Sequence, residues 1–211
     1  MAGVTILQSL LGNLMPPALH SLPRNLMDSI SLQIKRSINK FSQTDHSIGS
    51  PTADIILLEY GDYECPGAAS AELLTKHLID VFGDEMRLIY RHFPLTEIHP
   101  HAELAAEAAE AAGAQGHFWG MHDLLFTHQE HLKMASLMNY AEQLELDMIR
   151  FAAEMKERIY LQRIKEERQS GEALNIRTSP SFFLNGTPID VTFGLENLEN
   201  SVIALMQQSD W

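Results

Sequence analysis

The clearest hydrophobic pattern lies in the first half of the domain, where two apolar runs flank a segment of helical spacing. Residues 54–60 are almost continuously apolar and have the length of a strand buried on both faces. Residues 66–82 have apolar positions at helical spacing, and residues 86–93 form a second apolar run. A strand, a helix and a strand in this order predict a right-handed crossover between parallel strands.

A long helical block follows, and a hairpin and a final helix close the chain. Residues 101–170 have helical spacing and begin with an Ala-rich segment whose small side chains allow close helix packing. Two short apolar runs at 181–184 and 188–191 flank an Asn-Gly pair, which is a hairpin signal, and residues 195–206 are amphipathic. This order predicts an α/β fold with an α-helical insertion at about 101–170.

Residues 1–50 differ from the rest of the chain. An apolar stripe of helical spacing with three cations beside it runs through 27–41, and the polar stretch 42–52 has the composition of a linker. We therefore expect an N-terminal helical extension with a linker at 1–50, and a second domain at 51–211. The basic helix would dock on its own acidic domain or form a homodimer contact; a membrane surface is less favoured because three cations are few.

The charge of the chain excludes some classes of partner. Lys and Arg number 15 and Asp and Glu 28 among 211 residues, which gives a net charge of −13. A chain this acidic is repelled by phosphate backbones, so we expect no nucleic-acid binding. The apolar stretch at 4–19 is interrupted by polar residues and prolines and has no basic start, so we predict neither a signal peptide nor a transmembrane segment. These features and the single cysteine favour a cytoplasmic protein.

Cys65 is the single cysteine, and it lies between the first predicted strand and the helix that follows. A thiol at this junction faces the free N–H groups and the positive dipole end of the helix, which favour the thiolate. Asp62 and Glu64 oppose this effect by like-charge repulsion. The alternative is an inert, buried thiol that packs as a small hydrophobe.

Three separated motifs give the chain a family resemblance. Residues 59–66 (EYGDYECP), 91–95 (RHFPL, followed by His99-Pro100-His101) and 177–186 (RTSPSFFLNG) resemble the active-site elements of DsbA-like thioredoxin-fold proteins. The likeness is greatest to the stand-alone bacterial domains that also occur fused to sodium/proton antiporters. It spans roughly 54–207 and does not cover residues 1–50.

The resemblance implies a thioredoxin-like fold with a helical insertion and a substrate groove beside the cysteine. It implies that Ser179-Pro180 is a cis peptide packed near Cys65, and that Pro66 follows the nucleophile at the start of the helix. In such folds the residue before the cis-proline offers backbone hydrogen bonds to an extended peptide or to glutathione. Ser179 and Pro180 are therefore candidate substrate-binding residues, together with Pro66.

Glu59 is the second candidate catalytic residue. The resemblance implies that it is a buried carboxylate which accepts or relays the proton of the active-site thiol. The sequence alone marks it as an acid inside an apolar strand, where an acid is costly unless it is paired or neutral. A carboxylate that reaches solvent at the edge of the strand is the alternative.

Ala68 is the main departure from the family, whose usual motif is C-x-x-C. A dithiol enzyme attacks a disulfide with its first cysteine and resolves the mixed disulfide with its second. With alanine at the second position, the chain can form the mixed disulfide but cannot resolve it internally. An engineered trap variant is another interpretation of Ala68, although the neighbouring Gly67 favours natural divergence.

Two functions follow from these residues. The first is a monothiol thiol–disulfide oxidoreductase of DsbA type, in which Cys65 forms mixed disulfides with protein thiols or with glutathione as a co-substrate. The second is an inactive thioredoxin-fold module for peptide binding or dimerisation. We predict no bound cofactor and no metal, because the ten histidines show neither an H-E-x-x-H motif nor a cysteine cluster beside them.

Overall fold

A five-stranded mixed sheet forms the centre of the domain in the computed structural model, which describes residues 44–209. The strand order is β1-β3-β2-β4-β5; β2 and β3 are parallel, and the other neighbours are antiparallel. This arrangement confirms the predicted α/β class and the parallel crossover. The strands are β1 (His46–Gly49), β2 (Ile55–Gly61), β3 (Met86–His92), β4 (Ser181–Leu184) and β5 (Thr187–Ile189).

Seven helices accompany this sheet within the described residues. The first connects β2 to β3, the next five form the predicted insertion between β3 and β4, and the last packs against β2 and β4. Their bounds are α1 (Pro66–Phe82), α2 (Ala102–Gly113), α3 (Phe118–Thr127), α4 (Met134–Gln143), α5 (Met148–Glu157), α6 (Leu161–Ala173) and α7 (Glu196–Ser209).

Strand β1 corrects the interpretation of residues 42–52 as a linker. Residues His46 to Gly49 pair antiparallel with β3, from His46 opposite Tyr90 to Gly49 opposite Arg87. The strand was missed because it has four residues, lies at the sheet edge and carries polar side chains, so it shows no apolar alternation. The domain therefore starts before the predicted boundary at residue 51. The predicted helix at 27–41 and its dimer contact lie outside the described residues.

Two apolar clusters lie against the sheet. One joins the insertion helices to Tyr63, Tyr90 and the start of α1, and most of the alanines of α2 are fully buried in it. The other joins β2, β3 and β4 to α1 and α7. Cys65 and Ala68 belong to the first cluster, so the N-terminal turn of α1 is fixed between the sheet and the insertion.

The hairpin between β4 and β5 turns at the predicted Asn-Gly pair. Both residues have positive φ angles, 46° at Asn185 and 75° at Gly186, as the tight mirror-image turn requires. The Asn185 side chain also accepts a 2.8 Å hydrogen bond from the Ile56 N–H. The hairpin is thereby tied to β2, the strand that leads to Cys65.

Candidate active site

Cys65 lies at the N-cap of α1, directly after the loop that leaves β2. Its backbone is extended, with φ −83° and ψ 119°, and Pro66 occupies the first helical turn. Proline fits there because the N–H it lacks would have no partner within the helix. The Cys65 N–H donates to the Asp62 carbonyl at 3.1 Å, and the residue is 9% exposed. The thiol is therefore placed at the positive end of a 17-residue helix.

The thiol group reaches across to the loop before β4. Cys65 Sγ donates to the Ser179 carbonyl oxygen at 3.1 Å, and the Ser179–Pro180 peptide bond is cis. Gly67 keeps the space beside the sulfur open: a Cβ there would lie 3.3 Å from Pro180 Cδ and 3.7 Å from Cys65 Sγ. These atoms form the walls of a narrow site around the sulfur.

Ser179 and Pro180 are both half-buried. The Ser179 carbonyl accepts the thiol hydrogen bond, whereas its buried hydroxyl has no hydrogen-bond partner within residues 44–209. The structure thus brings three of the predicted substrate-binding and catalytic residues, Cys65, Ser179 and Pro180, to one place.

Ala68 lies on the buried face of α1 and is fully inaccessible. Its N–H donates to the Cys65 carbonyl at 3.1 Å, so the two residues share the first turn of the helix. A methyl group stands at the position where the resemblance described above leads us to expect a second sulfur. Since Cys65 is the single cysteine of the chain, no internal disulfide can form.

Glu59 is fully buried in the central strand β2, with Tyr90 and Phe182 as its neighbours on either side. Neither of its carboxylate oxygens has a hydrogen-bond partner among the described residues. Burial raises the pKa of Glu59 well above its usual value, and the negative charge of Glu72 raises this pKa further. Burial therefore favours the neutral form of this carboxyl group, and the alternative of a solvent-exposed carboxylate is wrong.

A chain of buried polar groups runs from the active-site loop to α1. The Tyr63 hydroxyl lies 2.9 Å from His122 Nδ1, and His122 Nε2 lies 3.0 Å from a Glu72 oxygen. A neutral imidazole that donates to the carboxylate accepts from the tyrosine, so all three groups are satisfied. Burial opposes ionisation of Glu72, but the hydrogen bond from His122 and the charge of Lys76 hold the pKa of Glu72 below its usual value.

Three further residues fix the active-site loop, and none of them was assigned a role of its own from the sequence. The Gln129 amide donates to the carbonyls of Tyr63 and Cys65, both at 2.8 Å. His99 and His101 contact the side chains of the two acids that precede the cysteine. The His-Pro-His motif was visible in the sequence, whereas nothing marked Gln129, whose role depends on the path of the insertion.

One histidine–carboxylate cluster resembles a metal site but is held by a guanidinium. Ligand atoms of His92, Glu110 and Glu167 lie within 4.8 Å of one another. Arg163 Nε lies 3.0 Å from Glu110 Oε1 and 3.2 Å from Glu167 Oε1. This side chain supplies the positive charge that both carboxylates need, so the geometry gives no reason to place an ion there.

A sequence model of the thioredoxin family matches residues 41–202, and the chain belongs to this family. It is 42% identical over 158 residues to Na(+)/H(+) antiporter NhaA 1 of Salinispora arenicola, which covers 75% of this chain and 24% of that protein. A second NhaA 1, from Mycobacterium sp. (strain KMS), is 35% identical over 161 residues, or 75% of this chain and 26% of that protein. The chain thus spans about a quarter of the length of these relatives. Within residues 44–209, no helix combines the length and apolar character needed to cross a bilayer.

Solved structures share the fold at low sequence identity. A thioredoxin-like oxidoreductase from Silicibacter pomeroyi superposes with a TM-score of 0.69 and 22% identity, covering 79% of this chain and 94% of that one. The thiol-disulfide exchange protein alpha-DsbA2 from Wolbachia pipientis gives a TM-score of 0.71 and 19% identity, covering 85% and 98%. These matches confirm the predicted DsbA-like thioredoxin fold.

Proposed function

We propose that the chain is a monothiol thiol–disulfide oxidoreductase, with Cys65 as its nucleophile. The observation that carries this proposal is the position of Cys65 Sγ at the N-terminus of α1, 3.1 Å from the Ser179 carbonyl and beside Pro180. Helix N-termini stabilise thiolates, and an open glycine beside the sulfur admits a second sulfur atom. Structural neighbours described as thiol-disulfide exchange proteins give further support.

The proposed reaction has two steps. The Cys65 thiolate attacks a disulfide, a new S–S bond forms to one of its sulfurs, and the other sulfur leaves as a thiolate that takes up a proton. Because position 68 carries no sulfur, release requires a second thiol from outside, for which we propose glutathione. This thiol attacks the mixed disulfide, regenerates Cys65 and leaves with the bound group. Because such a thiol is abundant in a reducing compartment, we propose that the reaction takes place in one, such as the cytoplasm.

Burial of Glu59 in β2 favours the protonated form of its carboxyl group, and we propose that this group exchanges its proton during the cycle. A neutral carboxyl group can give its proton to a thiolate, and the carboxylate that remains can take a proton back from a thiol. Ser179 and Pro180 would bind the substrate through the backbone next to the sulfur. In this proposal no metal and no bound cofactor takes part.

Incubation of the protein with glutathione disulfide, followed by intact mass measurement, tests the proposal. We expect one glutathione per chain at near-neutral pH, formed faster than on the same chain in denaturant. The variant Cys65→Ser should gain no mass. A folded protein that gains no glutathione while the denatured chain reacts would overturn the proposal.

One observation favours the second candidate, a binding module without chemistry. Cys65 is 9% exposed and its thiol already donates a hydrogen bond, as a packed structural cysteine also does. In that case a cysteine-free fluorescent peptide in extended conformation should bind equally to the wild type and to Cys65→Ser, and glutathione disulfide should give no adduct. Adduct formation without peptide binding would exclude this candidate.

A further inference from the structure

Two acidic residues stand immediately before the reactive cysteine, and both are held by histidines. Asp62 and Glu64 lie in the loop between β2 and Cys65. Negative charges so close to a thiol oppose its ionisation, because the thiolate would add a further negative charge. An exchange site that needs a thiolate therefore has to compensate these two charges.

The Asp62 carboxylate accepts hydrogen bonds from the segment after β3. Its side chain is fully buried, and Oδ2 accepts hydrogen bonds from the Leu95 N–H and from His99 Nδ1, both at 2.8 Å. The other oxygen accepts from the Glu64 N–H at 2.8 Å. The carboxylate thus closes the turn that leads to the cysteine and ties it to His99.

Glu64 is compensated in the same way by the residue at the N-cap of α2. Its Oε2 accepts from the His101 N–H at 2.6 Å, and its Oε1 lies 3.0 Å from His101 Nδ1. Both imidazoles therefore face a carboxylate with Nδ1. The side chains of His99 and His101 are 15% and 33% exposed, so protons can reach both rings from solvent.

We infer that His99 and His101 are positioning residues for Cys65, an inference that rests on the proposed thiol chemistry. Their hydrogen bonds fix the turn from Asp62 to the cysteine. When an imidazole takes up a proton, its charge cancels that of the carboxylate it contacts. The cysteine then ionises next to two neutral pairs instead of two free carboxylates. The reactivity of the thiol depends in this way on two histidines that do not touch the sulfur.

The remaining charged groups near this loop are the same in every variant proposed below. Arg168 of α6 pairs with Glu97 at 2.7 Å, and Glu72 of α1 pairs with His122 of α3 at 3.0 Å. Glu59 is buried in β2, and His128 and Glu130 flank Gln129 in the loop after α3. Because none of these groups is changed, a ratio of rates between variant and wild type isolates the two histidines.

The test is the rate of Cys65 alkylation by iodoacetamide, measured between about pH 6 and about pH 9 for wild type, His99→Gln and His101→Gln. A protonated imidazole carries one positive charge, so at about pH 6 each variant should react about fivefold more slowly, as loss of one nearby unit charge predicts. Because only the protonated imidazole carries this charge, the rates of variant and wild type should converge as the pH rises towards about 9. His77→Gln, which removes an exposed histidine from α1, should match the wild type throughout.

Rescue distinguishes charge compensation from simple loss of structure. In the double variant Glu64→Gln/His101→Gln, the carboxylate and its partner are both absent, so the rate at about pH 6 should return to the wild-type value or exceed it. A rate ratio that is constant with pH, or a double variant as slow as His101→Gln, would contradict the inference. If wild type gains no glutathione from glutathione disulfide, the proposed function itself fails; if it does and the histidine variants react normally, only this inference fails.

Discussion

Glu110 gives the most quantitative prediction about the domain, because one of its oxygens joins four elements. Oε1 accepts from His46 Nε2 of β1 and His92 Nε2 of β3 and forms an ion pair with Arg163 Nε of α6, each at 3.0 Å, and Glu110 itself belongs to α2. The substitution Glu110→Gln keeps the size of the side chain and removes its charge. The edge strand, the sheet and the insertion would then lose the carboxylate charge that they all contact.

The expected cost follows from the pKa of this carboxyl group. Burial alone would raise it, but the hydrogen bonds from His46 and His92 lower the pKa of Glu110 from 4.5 to about 2. That depression corresponds to about 3 kcal/mol of stability. Since the pKa is lower in the folded state, this stability is fully present above pH 4.5 and is lost as the pH falls towards 2.

Denaturant unfolding at several pH values between about 7 and about 3 measures this contribution. At neutral pH, Glu110→Gln should reduce the free energy of unfolding by about 3 kcal/mol, and the difference from wild type should shrink as the pH falls. Glu166→Gln, an identical substitution at an exposed position of α6, should change stability by less than about 0.5 kcal/mol. A constant difference between Glu110→Gln and wild type across this pH range would refute the reasoning.

Three more substitutions probe the site. Glu59→Gln should raise the free energy of unfolding above that of wild type, and this gain should grow from about pH 5 to about pH 8, because the raised pKa of Glu59 makes its burial costlier as the pH rises. A gain of the same size at both pH values in denaturant unfolding would contradict this. Gly67→Ala should slow glutathionylation of Cys65 about fivefold, because the added methyl group crowds Pro180 at a cost of ~1 kcal/mol. Alkylation by iodoacetamide should remain nearly unchanged, and equal slowing of both reactions would show a different cause. Gln129→Leu should lower the free energy of unfolding by about 1–3 kcal/mol, because two carbonyls lose their donor, and an unchanged value would mean that they find other partners.

The central fold could be predicted because its elements have strong local patterns. The continuous apolar run of β2, the proline after Cys65 and the Asn-Gly turn each correspond to one dominant physical preference. Strand β1 has no such pattern: it is short, half exposed and polar, and its strand geometry comes from pairing with β3. The sequence pattern therefore predicted a linker for residues that include the edge strand of the sheet.

The residues of the candidate site, like the elements of the fold, could be predicted where a local motif marked them. The cysteine, its proline and the Ser179–Pro180 segment were marked by motifs, and Glu59 was marked by its apolar strand. Nothing in the sequence indicated that His99 and His101 contact the two acids before the cysteine, because these partners lie 37 positions earlier in the chain. Such a long-range contact depends on the fold around it and produces no periodic pattern in the sequence.

The lifetime of the mixed disulfide tests the central claim most directly. Wild type and Ala68→Cys would be reacted with glutathione disulfide, desalted and followed by intact mass with and without added reduced glutathione. The wild-type adduct should persist until reduced glutathione is added, whereas Ala68→Cys should lose its glutathione unaided and form an internal disulfide. A wild-type adduct that disappears without added thiol, or that never forms, would contradict the monothiol account.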